Sequence, residues 1–182
     1  MSVYTTQNNL LLKNLLEFYQ TDNNLETMLN IINGESSISL RIVDWFATNY
    51  AKQKFTVYNL DDGTRFKVYN DYKLKLRAYS KKRFDPFCRW DRINIPYKEG
   101  SYIQTTLGQL NFFKWVLENK VIDYIREHYN EIENDMNNRN STSKRRTAIN
   151  AGQKTRKKRE ELSVSASKSI KRETVSIEIK FD

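Results

Sequence analysis

Residues 54–79 read KFTVYNLDDGTRFKVYNDYKLKLRAY, and the hydrophobic period changes within them. Phe55, Val57 and Tyr58 lead into Asn59-Leu60-Asp61-Asp62-Gly63, and Phe66 and Val68 follow. Short apolar runs on either side of an Asp-Gly pair predict a two-stranded hairpin with Gly63 in the turn. From Tyr69 the apolar positions fall at Tyr72, Leu76 and Tyr79, a spacing of three and four residues that predicts a helix. A hairpin that feeds directly into a helix predicts a mixed α+β domain.

Upstream, Leu11, Leu12, Leu15, Leu16 and Tyr19 are helically spaced, with Asn8 or Asn9 placed to cap. A second helix carries Leu25, Met28, Leu29 and Ile32 behind Asn23 or Asn24, and Asn33-Gly34 supplies a left-handed stop. A third, 39–52, carries Leu40, Val43, Trp45, Phe46 and Tyr50, with Ser36 or Ser37 near its start.

Downstream, Pro86 removes a backbone donor and disfavours a helical Asp85, so 84–89 is a loop. Residues 92–96 and 102–105 form a strand pair around Lys98-Glu99-Gly100. Thr106 then caps a helix containing Leu110, Phe113, Trp115, Val116 and Leu117, and Asn119-Lys120 marks a break before Val121, Tyr124, Ile125, Tyr129 and Ile132. Trp45, Phe46, Phe112, Phe113 and Trp115 read as core. At the far end Val175, Ile177, Ile179 and Phe181 alternate strictly, as in a half-buried strand. The expected architecture is a small, helix-rich α+β domain with short antiparallel hairpins over 1–138, a basic Ser/Lys/Arg-rich flexible linker over 139–172, and a strand over 173–182 that docks back on the domain.

Charge follows the same division. The 182 residues carry 31 Lys and Arg against 22 Asp and Glu, a formal charge of +9. Residues 1–138 hold 18 basic against 17 acidic groups, 139–172 hold 12 against 2, and 173–182 hold 1 against 3. The body is therefore nearly neutral and bears a strongly cationic arm. RNSTSKRRTAINAGQKTRKKREELSVSASKSIKR (139–172) has no aromatic residue and few large aliphatic ones, too little apolar surface to offset its ordering entropy, so disorder or conditional helicity is expected.

A single cysteine excludes an intramolecular disulfide framework and multi-cysteine zinc or iron–sulfur sites. MSVYTTQNNL lacks the basic start and apolar core of a signal peptide, and no run approaches the ~20 apolar residues of a membrane span. A soluble intracellular protein with no membrane partner is expected.

Four strings, SLRIVDWFATNYAK (39–52), YSKKRFDPFCR (79–89), TTLGQLNFFKWVLENKVIDYI (105–125) and RKKREELSVSASKS (156–169), with a closing Phe181-Asp182, resemble an uncharacterised protein family of the nucleocytoplasmic large DNA viruses, the giant viruses of protists. That family has no assigned catalytic activity or cofactor. The resemblance implies a viral setting, in the host-cell cytoplasm with its viral factory, the nucleus or the virion, and carries over no functional residues.

Catalytic chemistry has little to rest on. Cys88 and His128 are the only thiol and imidazole, and Arg83, Arg89 and Arg92 could activate a thiolate. A lone intracellular cysteine is more often a small hydrophobe, and Cys88 follows Phe87 in an aromatic stretch. Asp61-Asp62-Gly63 is an ordinary turn, and Glu131, Glu133 and Asp135 lie on the outer end of a helix, so neither set predicts a metal site. There is no GxxxxGK[ST] and no GxGxxG. No catalytic residue, metal, cofactor or small-molecule substrate is expected.

The basic residues are the candidate site. Lys144, Arg145 and Arg146, then Lys154, Arg156, Lys157, Lys158 and Arg159, form two clusters that resemble a bipartite nuclear import signal and equally a phosphate-binding arm; a solubilising or virion-packing tail would have the same composition. Lys73, Lys75, Arg77, Lys81, Lys82, Arg83 and Arg89, interleaved with Tyr72, Tyr79, Phe84 and Phe87, form a second basic stretch in which phosphate contacts could combine with base stacking. The three-and-four spacing favours a core position for Tyr72 and Tyr79 and leaves Phe84 and Phe87 open. The expected function is non-catalytic binding of DNA or RNA through phosphates, with little sequence selectivity. The alternative is a virion structural or assembly component whose aromatic body binds another viral protein.

Overall fold

A computed structural model describes the backbone of residues 3–149 and 172–174 and the side chains of residues 7–140. The described residues form a small α+β domain in which helices surround one buried helix, beside two short antiparallel sheets. Helix α1 (Val3–Gln20) begins well before the Asn8 or Asn9 cap expected. Its 3–9 segment contains no Gly or Pro, and once the Leu15 and Tyr19 face docks, propagation backward adds a hydrogen bond per residue.

Helix α2 (Asn24–Ile32) ends as expected: Gly34 has φ +77°, its N–H donates to Ile31 O at 3.4 Å, and Glu35 N–H donates to Asn30 O at 2.9 Å. This reciprocal pair satisfies carbonyls of the last turn, and the left-handed residue between them is where glycine costs least. Helix α3 (Leu40–Trp45) is capped by Ser39, whose hydroxyl accepts from Ile42 N at 3.3 Å. Ser36, one of the two residues expected near this start, instead accepts from Ile38 N at 3.1 Å in the preceding loop. The helix then widens into a π-helical turn, Phe46–Tyr50, and closes as α4 (Ala51–Gln53). Phe46, Ala47, Tyr50 and Ala51 are all buried through this transition.

Strands β1 (Val57–Asn59) and β2 (Arg65–Lys67) form the expected hairpin, with Tyr58 opposite Phe66 and Gly63 at φ +81°. β2 runs into α5 (Val68–Arg83). Strands β3 (Arg92–Pro96) and β4 (Ser101–Thr106) pair so that the buried Ile95 and Ile103 face each other in register. A third strand, β5 (Arg172–Thr174), lies antiparallel to β4 along Ser101, Tyr102 and Ile103. Val175, Ile177, Ile179 and Phe181 lie outside the described residues.

Helix α6 (Leu107–Glu118) is the centre of the molecule. Thr106 caps it by accepting from Gln109 N at 3.1 Å, and α1, α2, α5, β4 and α7 (Val121–Glu127) pack around it. Leu110, Phe112, Phe113, Trp115 and Val116 are all buried, with the polar Gln109 and Asn111 buried beside them, so most of the helix surface is enclosed. Tyr72, Phe84, Phe112 and Trp115 meet at ring-centroid distances of 5.4–6.0 Å. Lys120, at φ +54°, turns the chain between α6 and α7, where the Asn119-Lys120 break was expected.

Helix α8 (Tyr129–Ile149) runs through the boundary expected at residue 138. Ile132 and Met136 are buried, and α8 packs on α3 and the π-helical turn. Asp135 accepts from Trp45 Nε1 at 2.8 Å and pairs with Arg139 at 3.0 Å, while the Arg139 guanidinium lies over the Trp45 ring. No Gly or Pro occurs between Gly108 and Gly152, so a helix nucleated on these contacts continues. Among the described residues no helix is long and apolar enough to cross a membrane.

Candidate nucleic-acid interface

The basic stretch 73–89 divides into three parts of different character. Along α5, Lys73, Leu74, Arg77 and Lys81 are exposed while Tyr72, Leu76 and Tyr79 turn toward the core. Lys73, Lys75 and Arg77 make no ion pair among the described residues. Elsewhere Asp61 pairs with Lys120 at 3.3 Å, Glu131 with Lys54 at 3.8 Å and Asp135 with Arg139. This leaves a cationic strip on a body that is nearly neutral overall. At its amino-terminal end the Tyr69 ring has the ammonium groups of Lys52 and Lys73 each 5.8 Å from its centroid.

The second part is a break in the helix. Ser80 has φ 59° and ψ 167°, a backbone conformation that essentially only glycine adopts without strain. Beyond it, Lys82 and Arg83 form one wall of a cleft of about 580 Å³, with Asn8, Asn9 and Leu12 of α1, Trp90, Asp91, Ile93 and Leu107 lining the rest. Asn111 Nδ2 donates to Arg83 O at 2.8 Å and Asp85 N–H donates to Gly108 O at 3.2 Å, which ties this turn to the start of α6. A Cβ on Gly108 would sit 3.1 Å from Lys82 O and 3.3 Å from the backbone nitrogens of Phe84 and Asp85, so any larger residue would press on this turn. Trp90 is 42% exposed. Lys82 pairs with Asp91 at 3.3 Å, both largely solvated, and such a pair contributes little.

The third part is structural, and it decides the two aromatic residues left open and engages Arg89. Phe84 and Phe87 are buried and cannot stack on bases; Phe84 joins the aromatic core because the chain turns inward after Ser80. Tyr72 and Tyr79 pack against Phe84 from α5. Arg89 is not an open cation: its Nε and Nη2 donate to the Asp85 carboxylate at 2.9 and 3.1 Å, and its guanidinium lies 5.2 Å from the Phe87 ring centroid. Asp85 also accepts from Phe87 N at 3.0 Å.

Below this loop lies a residue that the sequence reading passed over. Asp44 on α3 is partly buried, and burial first, then the neighbouring Asp85 charge, push its carboxyl up to about 6 against the pull of Arg89 and Lys81. The Tyr72 phenol is pushed up to about 12 by burial and by the charges of Asp44 and Asp85. No motif marks Asp44; only the tertiary approach of α3 to the 84–89 loop reveals it.

The remaining candidates fall elsewhere. Lys144, Arg145 and Arg146 lie on the backbone of α8, and Lys154, Arg156, Lys157, Lys158 and Arg159 lie outside the described residues. Cys88 is a buried thiol in the 84–89 loop. His128 joins α7 to α8, with its ring stacked on Tyr124 at 4.1 Å and Nδ1 3.0 Å from Tyr124 O. Asp62 accepts from Thr64 N at 2.8 Å as the turn acid of the hairpin, and Glu133 accepts from the Tyr129 hydroxyl at 3.2 Å.

Comparison with known proteins places the chain among viral relatives. A protein of Acanthamoeba polyphaga mimivirus, described as uncharacterized, is 45% identical over 129 residues. The match covers 66% of this chain and 50% of the mimivirus protein, so it spans about half of that relative's length. No solved structure matches the chain. The resemblance to an uncharacterised giant-virus family is borne out by both the mimivirus relative and the family model, which matches residues 2–182. The chain therefore belongs to the family of unknown function (DUF7197).

Proposed function

We propose that the protein is a non-catalytic nucleic-acid-binding protein of the virus, holding phosphate backbone with little sequence selectivity. One observation carries this reading. Lys73, Lys75 and Arg77 on α5 make no ion pair among the described residues, while Asp61, Glu131 and Asp135 are held by Lys120, Lys54 and Arg139. Unneutralised cations along a helix are the electrostatic footprint of a polyanion site. The arm over 139–172, with 12 basic groups against 2 acidic ones, supplies further phosphate contacts. Six to ten such contacts lose about 10³ to 10⁵ in affinity between ~50 and ~200 mM salt.

The test is fluorescence anisotropy of labelled DNA and RNA with the full-length protein across that salt range. Binding that weakens steeply with salt, and weakens further on charge reversal (K73E, K75E and R77E together), is expected. No binding at ~50 mM salt, where phosphate contacts are strongest, overturns the reading.

A second reading, a virion or assembly component that binds another viral protein, is favoured by Phe55. Its ring is 73% exposed, and its backbone is left-handed (φ 50°), a costly state for a bulky residue. Mass spectrometry of purified particles tests it, and absence of the protein from virions rejects it.

A further inference from the structure

We infer that the cleft between α1 and the end of α5 receives one unstacked nucleotide of a single strand, its base lying on Trp90 and its phosphate against Lys82 and Arg83. The inference rests on the nucleic-acid reading above and names the form of nucleic acid that the body selects.

Trp90 differs from the other two tryptophans. Trp45 donates its indole N–H to Asp135 at 2.8 Å, and Trp115 donates to Asp71 at 3.1 Å. Both are thereby fixed in the packing of the body. Trp90 is 42% exposed and its indole N–H has no partner among the described residues. An exposed indole beside cations is the stacking platform that single-stranded nucleic acid uses, because every base has a π-face.

The cleft has the size and chemistry for such a unit. At about 580 Å³ it lies within the ~300–1,000 Å³ typical of sites that enclose small ligands. Lys82 and Arg83 offer positive charge on one wall, and the Asn8 and Asn9 amides on the α1 side offer donors and acceptors for a base edge. Asp91 is the one carboxylate of the lining, and its exposed pairing with Lys82 is weak enough for a phosphate to displace.

The backbone strain lies at the same place. Ser80 lines the cleft in its costly conformation, and the turn it makes sets Lys82 and Arg83 beside Trp90 instead of continuing α5. Strain retained in this way collects at binding sites. A base inside a duplex is stacked and paired, and offers no free face to the indole. The site therefore discriminates strand from duplex.

Anisotropy titrations at ~50 mM salt with the full-length protein compare a labelled 12-mer of oligo(dT), a duplex of equal length and thymidine monophosphate as competitor. Stacking typically contributes enough that about tenfold tighter binding of the single strand is expected. Trp90→Ala should abolish that preference and leave duplex binding unchanged, and Trp90→Phe should restore part of it. Circular dichroism and melting confirm that both variants fold. Equal affinity for strand and duplex, or an equal loss of both on Trp90→Ala, overturns the inference while leaving the nucleic-acid reading intact. Failure to bind any oligonucleotide overturns both. Displacement of the oligonucleotide by the mononucleotide at comparable concentration would assign the cleft to a free nucleotide and likewise reject the strand.

Discussion

Arg89 closes on Asp85 four residues earlier, with its guanidinium nitrogens 2.9–3.1 Å from the carboxylate oxygens, and the carboxylate is buried while half of the arginine remains in water. The pair straddles Pro86 and holds the 84–89 loop in a tight turn, so that Phe84 and Phe87 both point inward. One of the seven basic residues of the 73–89 stretch thus serves the loop on which the cleft is built.

Asp85→Ala removes the acceptor for Phe87 N and both arginine bonds. It should lower unfolding free energy by about 2–4 kcal/mol in urea titrations, because a buried backbone donor is left unsatisfied. Arg89→Lys keeps the charge but loses the fork, and should cost about 1 kcal/mol.

Asp44 gives the protein an acid-side stability increment. Its carboxyl sits at about 6 when folded, against an ordinary value of 3.8, so the folded state holds the proton more tightly than the unfolded chain does. This increment is fully present below about pH 4 and is lost as pH rises to about 6. Above that, Asp44 is ionised beside Asp85, with Arg89 and Lys81 only partly compensating. Asp44→Asn should therefore stabilise the protein at pH 8 by about 1–2 kcal/mol, with the gain fading at pH 4.5. Denaturation at the two pH values measures the difference.

Gly108→Ala places a methyl group against backbone atoms that cannot rotate away. A loss of about 1–3 kcal/mol is expected, and Gly108→Val should lose more. The contact joins α6 to the turn that carries Lys82 and Arg83, so hydrogen exchange should quicken across 80–91 before the rest of the body.

Phe55 occupies a left-handed position just beyond α4, where Thr56 N–H donates back to Ala51 O at 3.2 Å. Glycine is the residue that this cap favours. Phe55→Gly should raise stability by about 0.5–1 kcal/mol in thermal or urea unfolding, despite deleting an aromatic ring. A destabilised variant would mean that the ring packs more closely than its exposure indicates.

Much of the fold was legible because its signals are local. The Asp-Gly turn, the Asn-Gly stop, Thr106 as cap, the Asn119-Lys120 break and the Pro86 loop all act through backbone geometry within a few residues, and each stands where the residues placed it. The start of α1 and the course of α8 were not legible. A helix end without Gly or Pro is decided by what its apolar face meets, and Trp45 meets Asp135 across ninety positions of sequence.

The sequence by itself determined an α+β chain, most of its element order up to Glu127, and the segregation of charge into a neutral body and a cationic arm. Tertiary structure alone decided which cations remain open. Lys73 and Arg77 stay unpaired because no described acid reaches them, Arg89 is held by a carboxylate that its own loop buries, and Lys82 and Arg83 meet Trp90 because Ser80 breaks the helix. The cleft combines α1, α5, β3 and α6, and no periodicity along one segment encodes the distance between four. Charge is a property of composition, whereas its availability depends on which partners folding brings within a few ångströms.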